Sequence, residues 1–299
     1  MKKVTIWGLK HTRHSHRFIH KGFYENFVKL GFETNWVEDK PTNQELESDI
    51  YFVSGVAADY IKFKKKSIYI LHNVKLSDQN IDEIQRNNIN HINLQVYTND
   101  SKGEEIDNKN TLFDPDTNTI FQPWGTPLNP SEWSEYSPKN KSRIEWWVGA
   151  VWNNSLNQGN VSAIAQYKTL LWKKNILFIK RGGSRFRVEG ISDFRNAKLI
   201  RNSRIGATIV GSWQRDNNYI PCRLFKNISF GIPPTSNMSM PKSFTNTSGF
   251  IKDLEQLIDF SLHESEASRQ ERFNSARQIL KTFTYSKNIT RILNVLEGK

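Results

Sequence analysis

Short β-like runs alternate with helix-patterned segments along this chain, and the alternation starts afresh near its middle. That rhythm narrows the fold most, because parallel strands need long crossovers, and the crossover is normally a helix. Val4 to Gly8 opens the series as a strand. Ser15 to Leu30 follows, with Phe18, Ile19, Phe23, Phe27, Val28 and Leu30 near helical spacing, and Gly31 stops it. Phe32 to Val37, Asp49 to Val53, Ser67 to Leu71 and Ile92 to Tyr97 read as further strands, with a short helix over Ile81 to Arg86. Asn99 to Asn118 is polar and aperiodic and reads as a loop or small excursion. Ile120 to Pro127 reads as a last short strand and turn.

The second half repeats the pattern after a stretch rich in Pro, Ser, Asn and Lys. Ile144 to Val151, Ile176 to Ile179 and Ala207 to Val210 predict strands. Asn160 to Trp172, Ser192 to Asn202 and Ile220 to Phe230 predict helices, the last stopped by Gly231 ahead of Pro233 and Pro234. Gly249 to Leu262, Glu264 to Phe283 and Ser286 to Leu296 predict a helical tail. The expected class is α/β, with two Rossmann-like doubly wound domains facing a cleft and a helical C-terminal tail. The expected boundaries are 1–128 for the first domain, 129–142 for a linker, 143–283 for the second domain and 284–299 for a helix packing back across both. A chain of 299 residues suits two such cores better than one.

A formal net charge of +12 favours anionic partners: nucleotide diphosphates, anionic glycans, nucleic acid or an anionic membrane surface. The charge does not choose among them. One cysteine, Cys222, excludes an intrachain disulfide and a thiolate metal cage, and fits a reducing cytoplasmic setting. No run approaches the length of a membrane span, so any membrane association is expected to be peripheral. The first apolar stretch is too short for a signal-peptide core. A P-loop, a G-x-G-x-x-G after the first strand and a G-x-S-x-G elbow are all missing. Phosphoryl transfer on a P-loop, nicotinamide chemistry and α/β-hydrolase chemistry are therefore disfavoured.

Lys180-Arg181-Gly182-Gly183 directly follows a predicted strand. Two cations beside glycines can approach a diphosphate closely, although a solvated basic turn has the same sequence. The run from Asp216 to Pro234 leads a loop into a helix with Pro221 in its first turn. Arg223 and Lys226 are three apart and share a face, so this helix start offers a diphosphate receptor. The alternative is an amphipathic helix with two solvated cations. Gly149-Ala150-Val151-Trp152 closes the strand that opens the second domain, and its small residues would admit a phosphate or sugar ring.

The Asp216 to Pro234 run resembles the donor-binding segment of GT-B glycosyltransferases. Within it, Tyr219-Ile220-Pro221-Cys222-Arg223 resembles the Tyr-Val-Thr-Glu-Lys segment of α-1,3-fucosyltransferases, and the layout is similar to that of phage DNA glucosyltransferases, whose Arg is matched by Arg223. The resemblance implies that Arg223 meets the donor phosphates. Lys226, Lys180 or Arg181, Tyr219 and Gly149 are the further donor-side candidates. The sequence departs from the pattern at two places. Lys226 stands where many GT-B enzymes have a ribose-binding Glu, and Cys222 replaces the fucosyltransferase Glu. No Asp-x-Asp element suits a metal-dependent, GT-A-type transferase, so cations and helix termini are expected to carry the leaving diphosphate.

Four of the seven histidines, His11, His14, His16 and His20, follow the first strand. A His-Ser-His start before an aromatic helix is similar to some viral and bacterial glycosyltransferases, whose loop after the first strand faces the cleft. His16 and His20 are four apart, with Ser15 as a plausible N-cap, and either is a candidate base or acceptor-positioning group. The alternatives are a zinc site, for which no completing ligand lies nearby, and an exposed basic loop without chemistry. His14 of the same loop, Ser54, Asn73 and Trp124 are the other acceptor-side candidates; Ser54 and Asn73 each read more readily as strand-end turns, and Trp124 reads equally as a structural indole.

The expected activity is transfer of a sugar from a UDP- or GDP-sugar to an acceptor hydroxyl, with no metal and no permanently bound cofactor. The expected acceptor is a glycan or surface polysaccharide, in carbohydrate biosynthesis. Two alternatives stay open: a glycosyltransferase acting on nucleic-acid bases, and a non-catalytic binding module with the same fold.

Overall fold

The computed structural model describes residues 2–10, 16–37, 47–55, 61–96, 112–181, 193–239, 241, 244 and 247–298. The chain divides into two compact units. Unit 1 holds residues 1–95, 111–122 and 285–299, and unit 2 holds 96–110 and 123–284.

Unit 1 is built on a seven-stranded sheet. Strand β1 (Lys3–Trp7) leads into α1 (His16–Lys29), then β2 (Glu33–Val37), β3 (Ile50–Ser54) and β4 (Ile68–His72). Helix α2 (Asp78–Asn87), β5 (His91–Gln95), β6 (Leu112–Asp114) and β7 (Thr119–Phe121) follow. The order is β2-β1-β3-β4-β5-β7-β6, all parallel except the β6–β7 hairpin. The hairpin replaces the last part of the polar excursion; its turn holds Asn118 at φ 51°, a conformation Asn tolerates.

Both faces of the central strands are covered, so those strands are apolar on both sides. Trp7, Tyr51, Val53, Tyr69 and Leu71 pack with Ile84 of α2 on one face. Helix α1 buries Ile19, Phe23 and Phe27, spaced by four, and Phe23 meets Phe52 at 4.3 Å between ring centroids. Phe18, Val28 and Leu30, expected on the same apolar stripe, lie exposed instead. Three residues suffice for a helix seated on a narrow strip of sheet.

Unit 2 begins with β8 (Ile144–Val148), α3 (Val161–Lys173), β9 (Leu177–Arg181) and α4 (Asp193–Arg201). Strands β8 and β9 pair in parallel. Then come the short α5 (Ser212–Asp216), α6 (Cys222–Ser229), α7 (Leu254–His263) and α8 (Glu266–Leu280), while the final helix, α9 (Tyr285–Glu297), belongs to unit 1. Trp147 packs with Ile164, Tyr167 and Leu171 of α3 on one face of β8. Val148 packs with Ile200, Phe230 and Ile232 on the other.

The predicted strand at Ala207 to Val210 is reduced to parallel single bridges, Thr208 with Ser236 and Ser236 with Phe250. Side chains take the place of the ladder. Glu145 accepts from the amides of Ile205, Gly206 and Ala207, and Asn237 both donates to and accepts from the Val210 backbone.

Residues 129–142 do not form a free linker. Ser134 and Ser137 donate backbone bonds of 2.9 and 2.8 Å to Ser229 and Gly231, Glu135 holds Arg277 in a bidentate pair, and Trp133 is buried. A stretch rich in Pro and Ser therefore straps the helices of unit 2, because its backbone groups find fixed partners. Helix α9 returns to unit 1, where Tyr285 meets Phe23 at 4.9 Å and Ser286 bonds Asn26 at 2.5 Å. No helix among the described residues is long and apolar enough to cross a membrane.

Candidate functional site

Strand β8 ends where the chemistry of unit 2 gathers. Arg223 stands on the first turn of α6, beside Pro221, which occupies the N-cap rather than the helix proper. Its guanidinium bonds the Val148 carbonyl and lies 3.6 Å from the centroid of the Trp147 ring. Val148 and Trp147 point to opposite faces of β8, and Phe230 and Ile232, just after α6, pack on the Val148 side. The Arg223 side chain thus crosses the carboxyl end of the strand to reach the indole. It crosses at Gly149, where a Cβ would stand 2.6 Å from the guanidinium. Gly149 also has φ 146° and donates its amide to the Arg181 carbonyl at 3.1 Å.

Burial pulls the Arg223 guanidinium down to about 10, while Cys222, Glu145 and Tyr167 act to hold it up. A desolvated guanidinium over an indole gains about 2 kcal/mol from the ring. No carboxylate pairs with Arg223 among the described residues. It is a half-buried cation with a carbonyl and a ring for partners, at the strand end where ligands of open α/β sheets bind. A phosphate there would complete it.

Beneath it lies Glu145, 1% exposed, which accepts from three backbone amides at 2.8–3.1 Å and from the Tyr167 hydroxyl at 3.3 Å. Burial pushes this carboxyl up and the four donors pull it down, burial being the larger effect. Tyr167 is pushed up by its own burial and by the Glu145 charge. The carboxylate ties β8 to residues 205–207 and gives Arg223 a distant counter-charge.

The other predicted donor residues separate. Lys180 pairs in register with Trp147 and so shares the Arg223 face of the sheet. Arg181 pairs with Val148 and turns to the opposite face, its guanidinium 5.8 Å from the Trp146 ring. Adjacent strand residues alternate faces, so Lys180 and Arg181 do not act as one clamp. Both belong to β9 itself rather than to a turn after it, and Gly182 and Gly183 lie outside the described residues. Lys226 lies 5.8 Å from the Phe230 ring, away from the Arg223–Trp147 stack. Tyr219 is half-buried, its amide bonded to the Gln214 carbonyl at 2.8 Å.

In unit 1, His14 and Ser15 fall outside the described residues, and helix α1 begins at His16, whose side chain is not among those described. His20 is fully buried, so it does not face an acceptor as predicted. It lies on the inner face of α1 with Ile19, Phe23 and Phe27, against Phe52 at 5.3 Å. Its Nδ1 lies 3.3 Å from the Gly8 carbonyl, its Nε2 lies 3.0 Å from His72 Nδ1, and His72 Nε2 lies 3.1 Å from the Asn73 amide nitrogen. One set of neutral tautomers satisfies all three contacts. Asn73 donates to His72, His72 to His20, and His20 to the carbonyl. Ser54 and His72 are register partners at the ends of β3 and β4, and Ser54 Oγ and Asn73 Oδ1 are buried without a hydrogen-bond partner among the described residues. Trp124 belongs to unit 2 and is 1% exposed, so its ring is not offered for stacking on a sugar.

Sequence reasoning missed Trp147 and Glu145. The signal was a lone acid inside Ile144-Glu145-Trp146-Trp147-Val148, where a buried strand would otherwise be apolar throughout.

No protein-family model matches the sequence, and no curated protein matches it. Solved structures do. An α-glucosyltransferase in complex with UDP and a 13-mer DNA with a central A:G mismatch aligns at TM-score 0.60 and 12% identity, over 98% of this chain and 100% of its own. A DNA-modifying β-glucosyltransferase, described with and without uridine diphosphoglucose, aligns at 0.54 and 11%, over 98% and 99%. The T4 phage β-glucosyltransferase aligns at 0.53 and 12%, over 98% and 99%. At such identity the likeness is one of fold, and it matches the GT-B type expected from the sequence.

Proposed function

We propose that the chain is a glycosyltransferase that takes a sugar from a nucleotide-diphosphate donor held by unit 2. The observation that carries this reading is Arg223: a half-buried guanidinium seated on Trp147 at a strand end, with no carboxylate paired to it among the described residues. As the bond between the anomeric carbon and the diphosphate breaks, negative charge grows on the leaving phosphate oxygen. A cation already held in place by a ring and a carbonyl stabilises that charge with little reorganisation. Lys180, on the same face of the sheet, adds a second positive charge. The solved neighbours that contain UDP or uridine diphosphoglucose favour a uridine donor over a guanosine one.

For the acceptor we favour a hydroxyl carried on nucleic acid over a glycan. The net charge of +12 suits a polyanion, and two of the aligned structures are enzymes described with DNA or as DNA-modifying. Unit 1 supplies the acceptor side in this reading. His16, on the first turn of α1, is the group to take the acceptor proton, while buried His20 and His72 hold the end of β1 in place.

A thermal-shift screen against UDP, GDP, CMP and their sugar conjugates tests the donor half. A selective rise with uridine ligands supports the reading. Incubation with UDP-glucose and either hydroxymethylated DNA or a glycan tests the acceptor half, and slow donor hydrolysis alone is enough to exclude a non-catalytic module.

A further inference from the structure

A second feature of unit 2 is independent of Arg223. A cavity of about 330 Å3 opens where α3, α5 and α7 begin. Ser162 and Gln166 of α3, Ser212 and Arg215 of α5, and Lys252 ahead of α7 line it. Neither Arg215 nor Lys252 has an ion-pair partner among the described residues. The one acid on the wall, Asp253, is occupied as the N-cap of α7, accepting from the Gln256 amide at 2.8 Å. The cavity therefore has two uncommitted cations and two hydroxyls on its rim.

The loop over residues 152–160 stands beside it and is braced from within. Trp152 and Asn160 close its base through two bonds of 2.9 and 3.1 Å. Asn153 bonds Asn157 and the Gly159 amide, and Asn154 caps the amides of Leu156 and Gln158. The loop is anchored against the cavity wall: a Cβ on Gly211, next to Ser212, would stand 2.0 Å from the Gly159 carbonyl. On this polar frame two apolar side chains face outward, Trp152 at 39% and Leu156 at 70% exposure. Holding apolar residues out on a braced loop makes sense if they meet a ligand.

We propose that this cavity and loop hold a strand of nucleic acid, with Arg215 and Lys252 on its phosphates and Trp152 and Leu156 against its bases. The pairing of cations with adjacent apolar contacts fits a polynucleotide, which brings charge and flat apolar rings at regular spacing. A neutral glycan brings no charge for the cations, and a bilayer asks for a broader apolar face than one loop offers. The inference rests on the nucleic-acid reading of the acceptor, and it assigns the surface that binds that acceptor outside the reacting centre.

The test is fluorescence-anisotropy titration of a labelled oligonucleotide, single-stranded and duplex, with the full chain across a range of salt. Wild type binds with a steep salt dependence. The double variant R215A/K252A loses about tenfold in affinity, and its slope of log affinity against log salt falls by about 1.5, as expected for two lost phosphate contacts. Leu156→Ser weakens binding with the slope unchanged. Both variants keep the wild-type thermal shift with UDP, which also shows that they are folded. Equal oligonucleotide binding by R215A/K252A and wild type overturns the proposal. So does loss of the UDP shift in R215A/K252A, which would make the cavity part of the donor site. Failure of wild type to bind any oligonucleotide at low salt overturns it as well, together with the nucleic-acid acceptor, while the donor reading stands or falls on Arg223 alone.

Discussion

Gly149 and Arg223 occupy each other's space: a side chain on the glycine would begin 2.6 Å from the guanidinium that crosses it. The strand end is open because the arginine needs the room. Gly149→Ala also meets a φ of 146°, which an L side chain adopts only under strain of about 1–3 kcal/mol. The expected result is a lower Tm and at least about tenfold weaker UDP binding by calorimetry, as displacement of the charge costs on the order of 1.4 kcal/mol or more. Unchanged affinity would separate this glycine from the donor.

Trp147 holds the other side of that cation. Trp147→Phe keeps a ring under Arg223 and fills part of the volume, whereas Trp147→Leu removes the π face. Donor affinity should fall in the order wild type, Phe, Leu. Both variants should lose on the order of 1–3 kcal/mol of stability in urea, since Trp147 is 2% exposed and packed against α3. Equal affinities for Phe and Leu would show that the stack does not serve binding.

Glu145→Gln tests the acid under the site. The amide has one acceptor oxygen where the carboxylate receives from Ile205, Gly206, Ala207 and Tyr167, and it turns an N–H donor toward other donors. Urea unfolding should show a loss of about 2–4 kcal/mol. A neutral result would mean that residues 205–207 reach β8 without this side chain.

His20→Phe separates a structural from a chemical histidine. His20 is buried between Gly8, His72 and Phe52 in unit 1. The variant should lower Tm and leave UDP binding in unit 2 unchanged, because the two lie in separately packed units. His16→Ala should instead lower turnover at neutral pH while leaving UDP binding unchanged. If His16→Ala turns over normally, the proposed base is wrong.

Cys222 reports on the same helix start. Burial pushes its thiol up more than Lys226 and Arg223 pull it down. Alkylation by iodoacetamide at neutral pH should be slower than for a free thiol and accelerate as pH rises. Bound UDP should slow it further; a rate indifferent to UDP would place the nucleotide elsewhere.

The alternation of strands and helices was legible because parallel strands buried on both faces leave apolar runs that sequence shows directly, as in Ile50-Tyr51-Phe52-Val53. Arg223 was legible as a cation at a helix start. Its destination was not, since nothing in the order of residues says that a side chain from α6 crosses Gly149 to the far face of β8. Lys180 and Arg181 looked like a pair because they are neighbours in sequence, yet inside a strand neighbours part to opposite faces. His20 misled for a related reason: its spacing from His16 fixed a helix face but not which face is buried. The Ala207 to Val210 strand thinned to a bridge because Glu145 and Asn237, distant in sequence, supply its hydrogen bonds.

The central claim is that Arg223 receives the donor diphosphate. Isothermal titration of UDP into wild type and into Arg223→Met, which keeps an apolar stem over Trp147, tests it most directly. The account predicts that the variant unfolds within a few degrees of wild type and binds UDP at least about tenfold more weakly, the scale of one charge-assisted phosphate contact. An equally stable variant that binds UDP as tightly as wild type would contradict it.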